Sequence, residues 1–413
     1  MSKKSSKKIE KNLLVGLDIG TSKIITLIGE IDENNQITLV SVGSHPSKGL
    51  KRGVVVNIDA TIASIQASVA AAEDKAACQI HSAYAGISGS HVKSLNSHGI
   101  VAIRDQEVTQ IDVDRVLDAA RAVAIPNDQK ILHVLPQEYI IDNQDGIREP
   151  VGMSGVRLEA NVHIVTGATS AAQNIVKCIQ RCGLEVVDIV LEQLASSYAV
   201  LTEDEKELGV CLIDIGAGTT DIAVFLHGAI CHTAVIPIAG DQVTNDIAIA
   251  LRTPTASAEQ IKITQGSALP EEVTTDELLD IDTVGEKEER SVSRKHLAEV
   301  IEARYEELFH LVQADLKRSG FEKRLAAGIV LTGGGSSIEG GLILAESIFK
   351  MPVRLGLPIG VQGLSNIIHN PSYATGVGLL LYGLHQQNAP APDNAGSFKN
   401  MLNKMKTWFG NNF

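Results

Sequence analysis

Aromatic residues make up only 3% of this 413-residue chain, and there is a single Trp. Alanine and glycine are plentiful instead, a balance that suits a packed α/β protein long enough for two domains. Cysteine is scarce as well. The five present (Cys78, Cys178, Cys182, Cys211 and Cys231) are irregularly spaced, which argues against a disulfide framework and fits a reduced cytoplasm. Cys178 and Cys182 stand four apart on one helical face but lack a second ligand pair, so they read as buried thiols rather than a metal site. No run of about eighteen uninterrupted apolar residues exists, so no segment reads as a membrane-spanning helix. Positive charge is outnumbered, 36 Lys and Arg against 49 Asp and Glu, and the net charge of −13 argues against a general nucleic-acid binder. Lys3, Lys4, Lys7 and Lys8 have no apolar run behind them, so residues 1–12 read as a solvated basic tail, not a signal peptide. The two commonest phosphate loops, GxxxxGK[ST] and GxGxxG opening a helix, are missing too.

What the chain has instead is a phosphate-binding hairpin, twice. Leu17-Asp18-Ile19-Gly20-Thr21-Ser22-Lys23 follows the apolar run Leu13-Leu14-Val15 and precedes Ile24–Ile28. The stretch from Leu212 to Asp221, with Asp214, Gly216, Ala217, Gly218, Thr219 and Thr220, sits between Gly209-Val210-Cys211 and Ile222–Phe225. Each unit is strand, glycine turn, strand. Glycine lets successive backbone N–H groups curl toward one anion. The hydroxyls of Thr21, Ser22, Thr219 and Thr220 add donors, and Lys23 adds a charge. Asp18 and Asp214, at the strand ends, are placed to hold Mg²⁺ through its waters, because Mg²⁺ dehydrates reluctantly. Two copies in separate halves suggest a duplicated domain clasping one polyphosphate from both sides.

In chain order, Leu13–Leu17, Ile24–Glu30 and Ile37–Val42 read as a three-strand meander, followed by an amphipathic helix over 59–75. Between Tyr84 and Val162 the pattern changes: strands at Gly99–Ile103, Ile131–Val134, Tyr139–Ile141 and Val156–Ile164, and a helix through Val113–Val123 capped by Asp112. This is a small inserted module, expected to be a contact surface more than a stabilising lid. Helices follow at Ala171–Cys182 and Leu191–Leu201, the second opening at Glu192, where an acid favours the helix dipole. After the second hairpin, Gly240 precedes a helix over Val243–Leu251 that can present its N-terminus to the cleft. Glu259 and Lys262 share a helix face, as a surface ion pair would. Residues 266–292 read as an exposed edge, and a long helix from about Ser293 to Gly320 turns Leu297, Val300, Ile301, Leu308, Leu311, Val312 and Leu316 inward. Strand Gly328–Leu331 then runs into Gly333-Gly334-Gly335-Ser336-Ser337-Ile338 and a helix over Leu342–Phe349. Three glycines let a flat base or an α-phosphate lie directly on backbone.

Beyond Leu384 a polar stretch, 385–397, reads as a flexible linker. Phe398, Met401, Leu402, Met405, Trp408 and Phe409 then form one apolar helical stripe, with Lys399, Lys404 and Lys406 off it. A helix docked on the protein's own core is the plain alternative. The long linker and acidic body favour instead an amphipathic helix, 398–413, lying on anionic membrane lipid.

Meander, helices and glycine hairpins, repeated after residue 209, resemble the half-domains of the actin/Hsp70/sugar-kinase superfamily. The insert narrows this: His133-Val134-Leu135-Pro136-Gln137-Glu138-Tyr139 and Pro150 to Glu159 are similar to the subdomain of the FtsA family of bacterial actin-like cell-division proteins. The resemblance implies two actin-like (RNase H-like) domains around a nucleotide cleft with an inserted α/β subdomain. It divides the chain into a first core (13–83 and 163–205), the insert (84–162), a second core (206–244), its outer subdomain (245–314), and a return through the second to the first core (315–384). It further implies ATP and Mg²⁺ as ligands, Glu192 near the attacking water, and Glu259 with Lys262 against ribose and adenine. Arg304 and Glu307 would contact the FtsZ C-terminal peptide, and the 84–162 module later division proteins. Head-to-tail filaments at the cytoplasmic face of the inner membrane, at the septum, complete the expectation: an adaptor with at most weak Mg-dependent ATPase activity. The rival readings are a pilus-assembly actin relative and a small-molecule kinase.

Overall fold

The computed structural model describes residues 12–273, 277–283 and 290–388. The meander is β1 (Leu13–Ile19), β2 (Lys23–Ile31) and β3 (Ile37–Pro46), all antiparallel. β1 is apolar nearly throughout because both of its faces are covered. A tight hairpin, β4 (Leu50–Lys51) and β5 (Val54–Val55), leads to α1 (Ile58–Ala76), which Asn57 caps by accepting the Ala60 N–H at 3.0 Å. β6 (Ser82–Ile87) then runs parallel to β1.

The insert is a separate antiparallel sheet: β7 (Lys93–Ala102), α2 (Gln110–Arg121), β8 (Gln129–Ile141), β9 (Gln144–Ile147) and β10 (Arg157–Ala168), in the order β7-β10-β8-β9. The chain returns through α3 (Thr169–Arg181), β11 (Glu185–Leu191), α4 (Glu192–Val200) and α5 (Glu203–Leu208). The first sheet is completed in the order β11-β6-β1-β2-β3, with a strand that returns from the second half, Val361–Gly363, pairing parallel on the far side of β3.

The second half repeats the meander with β12 (Val210–Ile215), β13 (Thr220–Leu226) and β14 (Ala229–Ile236). It continues through α6 (Gly240–Leu251), α7 (Thr255–Gln265), a ribbon of β15 (Leu278–Ile281) and β16 (Arg290–Ser293), and α8 (Arg294–Ser319). After β17 (Ile329–Thr332), α9 (Gly341–Phe349) and β18 (Val353–Leu355), the chain crosses back by β19 (Val361–Gly363), α10 (Ser365–Ile368) and α11 (Ala374–Asn388). β12 pairs parallel with β17 as β1 does with β6, the mark of the duplication.

Helices α4 and α11 lie between the two sheets and share one core with both, including Leu27 and Leu39 from one side and Leu212, Phe225 and Val330 from the other. They cross closely: a Cβ on Gly378 would fall 1.9 Å from the Ala195 carbonyl oxygen. α1 and α3 cover the outer face of the first sheet, and α6, α8 and α9 that of the second.

The module joins the halves a second time, along β14. Ser94 Oγ donates to the Thr233 carbonyl (2.9 Å), Asn96 to that of Cys231 (3.3 Å) and Gln137 to that of Ile230 (3.1 Å). Buried His163 bridges Asn96 Oδ1 (2.7 Å) and Thr233 Oγ1 (3.0 Å).

Several sequence expectations shift. The boundary at 84 falls inside β6, because Tyr84 pairs with Gly16 in the first sheet, and the boundary at 162 falls inside β10. The 314 boundary likewise lies within α8. The two segments around Pro136 are one strand, the proline being accommodated at a register shift opposite Asn161 and Val162. Asp112 is not the cap of α2 but its third residue, reaching back to the Thr109 N–H and hydroxyl. Leu311 is exposed on α8. The 266–292 edge buries Val273 and sets Ile281 and Val292 in the second core. Residues 385–388, expected in the linker, instead belong to α11, and His385 packs on the Tyr198 ring. The basic tail and the 398–413 stripe lie outside the described residues.

Candidate nucleotide site

Between the halves lies a cavity of about 590 Å³, floored by the strand ends and roofed by α6, α7 and the glycine triplet. The structure brings almost every sequence-predicted residue to it. Gly20, Thr21, Ser22 and Lys23 face Gly216, Ala217, Gly218 and Thr219 across the cleft, with Asp18, Asp214 and Glu192 below them. Gly240, Glu259, Lys262, Gly333, Gly334, Gly335 and Ile338 line the other end.

The hairpin tips nearly touch: a Cβ on Gly218 would lie 2.5 Å from Thr21 Oγ1, so only glycine fits there. The second tip is tied to the start of α6, with the Gly240 and Asp241 N–H groups donating to Gly216 O (3.1 Å) and Ala217 O (2.8 Å). Lys262 is largely enclosed. It donates to Gly240 O (3.1 Å) and Thr244 Oγ1 (2.8 Å) and pairs with Glu259 at 2.7 Å, stapling α7 to α6. The glycine triplet is held from α8 by the Tyr305 hydroxyl, which donates to Gly335 O at 2.7 Å.

Two predicted residues turn away. Thr220 alternates to the opposite face of β13 from the cleft acid beside it, and its hydroxyl donates to Ile238 O at 2.8 Å. Ser336 closes its own turn on Gly333 O at 2.7 Å, and Ser337 lines the cavity instead. Sequence reasoning missed Asp221, the turn residue Gly53, and a return segment, Asn370, Ser372 and Thr375, at the start of α11. Asp221 stood inside the quoted motif, so its strand alternation was a usable signal. Nothing local marks Thr375.

The electrostatics of the floor are one-sided. Four acids converge there: Asp18, Asp214, Asp221 and Glu192. Asp214 Oδ2 accepts Ser196 Oγ (2.6 Å) and Thr375 Oγ1 (3.3 Å), while Asp221 accepts the Ser88 and Thr219 hydroxyls. Burial, reinforced by Asp214, pushes both Asp18 and Asp221 up to about 7. Burial and the three aspartates raise Glu192 well above the usual carboxylate range. Lys23, its Nζ 4.6 Å above the Tyr373 ring, is lowered by burial and only partly offset by Asp18. Acids that repel each other in this way fit a divalent cation. Among the described residues no three His, Cys, Asp or Glu side chains are grouped to ligate one ion directly.

Elsewhere, Arg304 and Glu307 line a separate open groove of about 510 Å³ on α6 and α8, with Asp246, Ile249, Val300 and Ala303. Arg304 is not free there: it is ion-paired to both Asp246 and Glu307.

Comparison with known proteins agrees with this architecture. The family model described as "Cell division protein FtsA" matches residues 211–378, and that of the "SHS2 domain inserted in FTSA" matches 89–166. The chain is 63% identical over 376 residues to the cell division protein FtsA of Pseudomonas aeruginosa, covering 91% of this chain and 90% of the relative. Identity is 49% with that of Neisseria meningitidis (96% and 98% covered) and 47% with that of Escherichia coli K12 (91% of each). Among solved structures, the PilM–PilN type IV pilus biogenesis complex is similar at TM-score 0.66 and 17% identity, with 90% and 98% covered. MreB5 of Spiroplasma citri bound to AMPPNP is similar at TM-score 0.56 and 16% identity, with 91% and 97% covered. These two likenesses show the actin-like fold.

The raised acids give a pH prediction. Folding lifts Asp18 and Asp221 above their ordinary value of 3.8 to about 7, so between those limits the folded chain holds more protons than the unfolded one. Their contribution to stability is therefore present at low pH and falls as pH rises toward 7, by about 1.4 kcal/mol per pH unit for each extra proton held. Thermal melts in chelator should show this decline from pH 5 to 8. Asp18→Asn with Asp221→Asn should flatten it, and Mg²⁺ should raise the midpoint more at pH 8 than at pH 5.

Proposed function

The chain belongs to the FtsA family of actin-like cell-division proteins, and on that premise we propose that it binds MgATP in the cleft and assembles head to tail on the inner face of the cytoplasmic membrane. There it tethers the FtsZ ring and presents the inserted module to later division proteins. The observation that carries the reading is the convergence of both glycine hairpins and the glycine triplet on one cavity. Family membership sets aside the small-molecule kinase and the pilus-assembly relative.

In this reading the hairpin N–H groups and the Thr21, Ser22 and Thr219 hydroxyls take the phosphates. Glu259, Lys262 and Ile338 border the nucleoside. Asp18 and Asp214 hold Mg²⁺ through its waters, and the ion supplies charge compensation for acids and phosphates alike. Ser196 and Thr375 occupy one oxygen of Asp214 and so orient the other. Glu192 can orient a water only when ionised, and its acidic neighbours oppose ionisation. A weak ATPase at most is the consistent expectation.

The groove on α6 and α8 suits the acidic, partly apolar FtsZ C-terminal peptide: Ile249, 77% exposed, offers an apolar contact, and Arg304 a cation whose present partners a carboxylate can replace. The 398–413 stripe supplies the membrane contact. One such tail binds reversibly, and a filament of tails binds far more tightly through effective concentration.

Three tests follow from these assignments. A Cβ on Gly334 would meet nothing nearer than Ser372 Oγ at 3.3 Å, so Gly334→Asp should fold normally. Its carboxylate, set against the nucleotide, should weaken ATP binding at least about a hundredfold by calorimetry, and unchanged affinity would refute the site. Ile249→Glu should weaken the FtsZ C-terminal peptide about tenfold or more by fluorescence anisotropy; wild-type affinity removes the groove from the proposal. Trp408→Glu should release the protein from anionic vesicles and abolish filaments on anionic lipid monolayers while ATP binding persists. Wild-type co-sedimentation of that variant would rule out the tail as anchor.

A further inference from the structure

The hairpin β4–β5 lies over the phosphate end of the cleft, and its turn is two residues long, Arg52 and Gly53. Both have positive φ, +49° and +74°. A two-residue turn of this hand normally takes Asn, Asp or Gly at its first position, because a larger L residue is strained there. A long cation in that place is a local cost that the hairpin does not require.

The turn is seated on the phosphate loops. Gly53 N–H donates to Thr21 Oγ1 at 3.1 Å, and Gly53 itself lines the cavity. A Cβ on Gly218 would lie 2.9 Å from Arg52 Cα, and one on Gly53 would lie 2.9 Å from Ser88 O, the residue whose hydroxyl holds Asp221. The Arg52 backbone therefore touches the loop of the second half while belonging to the first. Its side chain is exposed, and among the described residues it makes no hydrogen bond or ion pair despite the acidic body.

The charge balance of the cleft gives such a cation a task. Four acids line the floor, and Lys23 is half-buried over an aromatic ring beside Asp18. A nucleoside triphosphate adds further negative charge at this end, more than a diphosphate does. An exposed guanidinium on a turn whose backbone meets the hairpin tips is the planar, forked donor that phosphate oxygens fit.

We propose that Arg52 is a specificity-determining residue that closes on the terminal phosphate of the bound nucleotide, so that the chain distinguishes a nucleoside triphosphate from a diphosphate. The proposal rests on the nucleotide reading of the cleft. Because Arg52 bridges the two halves at the turn, the contact also makes cleft closure depend on that phosphate.

The test compares Arg52→Gly with the wild type by titrating each with Mg-AMPPNP and Mg-ADP, alongside thermal melts without nucleotide. Glycine relieves the backbone strain, so the variant should melt higher than the wild type. Its preference for AMPPNP over ADP should fall about tenfold or more, the low end for a lost charge-assisted hydrogen bond, with ADP affinity changed less than about twofold. Arg52→Lys should fall between the two, a point charge replacing a fork. An Arg52→Gly variant that keeps the wild-type AMPPNP-to-ADP ratio overturns the proposal and leaves the nucleotide site standing. A wild type that binds neither nucleotide overturns the site itself, and this inference with it.

Discussion

A single carboxylate oxygen, Asp214 Oδ2, receives the hydroxyls of Ser196 and Thr375, which also lie 3.0 Å from each other. Asp214 belongs to the second half, whereas Ser196 on α4 and Thr375 on α11 belong to the helices between the sheets. This buried triad joins three chain segments at the floor of the cleft. An unpaired carboxylate there would be costly, so the hydroxyls both stabilise the joint and fix which oxygen faces the cavity. The helices can reach it because glycine lets them cross at backbone contact: Gly378 against Ala195, and Gly376 against Gly16 of β1. Small residues in α11 are thus a condition for the site, although most of them never touch it.

The inserted module adds a second joint, far from the first in sequence and different in chemistry. Its polar seam with β14 runs through side chains bonded to backbone carbonyls and through His163, which burial holds well below its usual pKa, at about 3, and therefore neutral. Neutral imidazole can donate from one nitrogen and accept at the other, as the bridge between Asn96 and Thr233 requires. With one joint at the cleft floor and another along an edge strand, relative motion of the halves is confined to directions that preserve both. The β4–β5 turn meets the second hairpin on the remaining side.

The parts of the site legible in the sequence were those written in a few consecutive residues. A strand, a glycine turn and a terminal acid occur together at Asp18–Lys23 and again at Asp214–Asp221, and both units line one cavity. Errors arose where side-chain direction mattered. Thr220 and Ser336 carry the right hydroxyls but spend them on local carbonyls. Thr375 and Asp214 are 161 residues apart, a contact that no spacing announces. Domain boundaries were misplaced for a related reason: β6, with small residues at Ala83, Ala85 and Gly86, carries no composition change, and only its pairing with β1 assigns it to the first sheet. The paired state of Arg304 was equally invisible, since Asp246 lies on another helix.

One helix links the two ends of this organisation. α11 begins at Ala374, with Thr375 in the cleft, and runs to Asn388, the last of the described residues. Its fifteen residues span about 22 Å at the rise of an α-helix. The buried residues Val377, Leu379 and Leu380 and the rings of Tyr84, Tyr198 and Tyr382 hold it on both sheets. The described end of α11 is therefore fixed relative to the cleft floor. Transmitting nucleotide state along it would require two packings of α11, and the backbone contacts at Gly376 and Gly378 leave little room for sliding. In the filament proposed above, an α11 end fixed in this way would set the tails of all protomers on one side, the geometry that multivalent attachment to one surface needs.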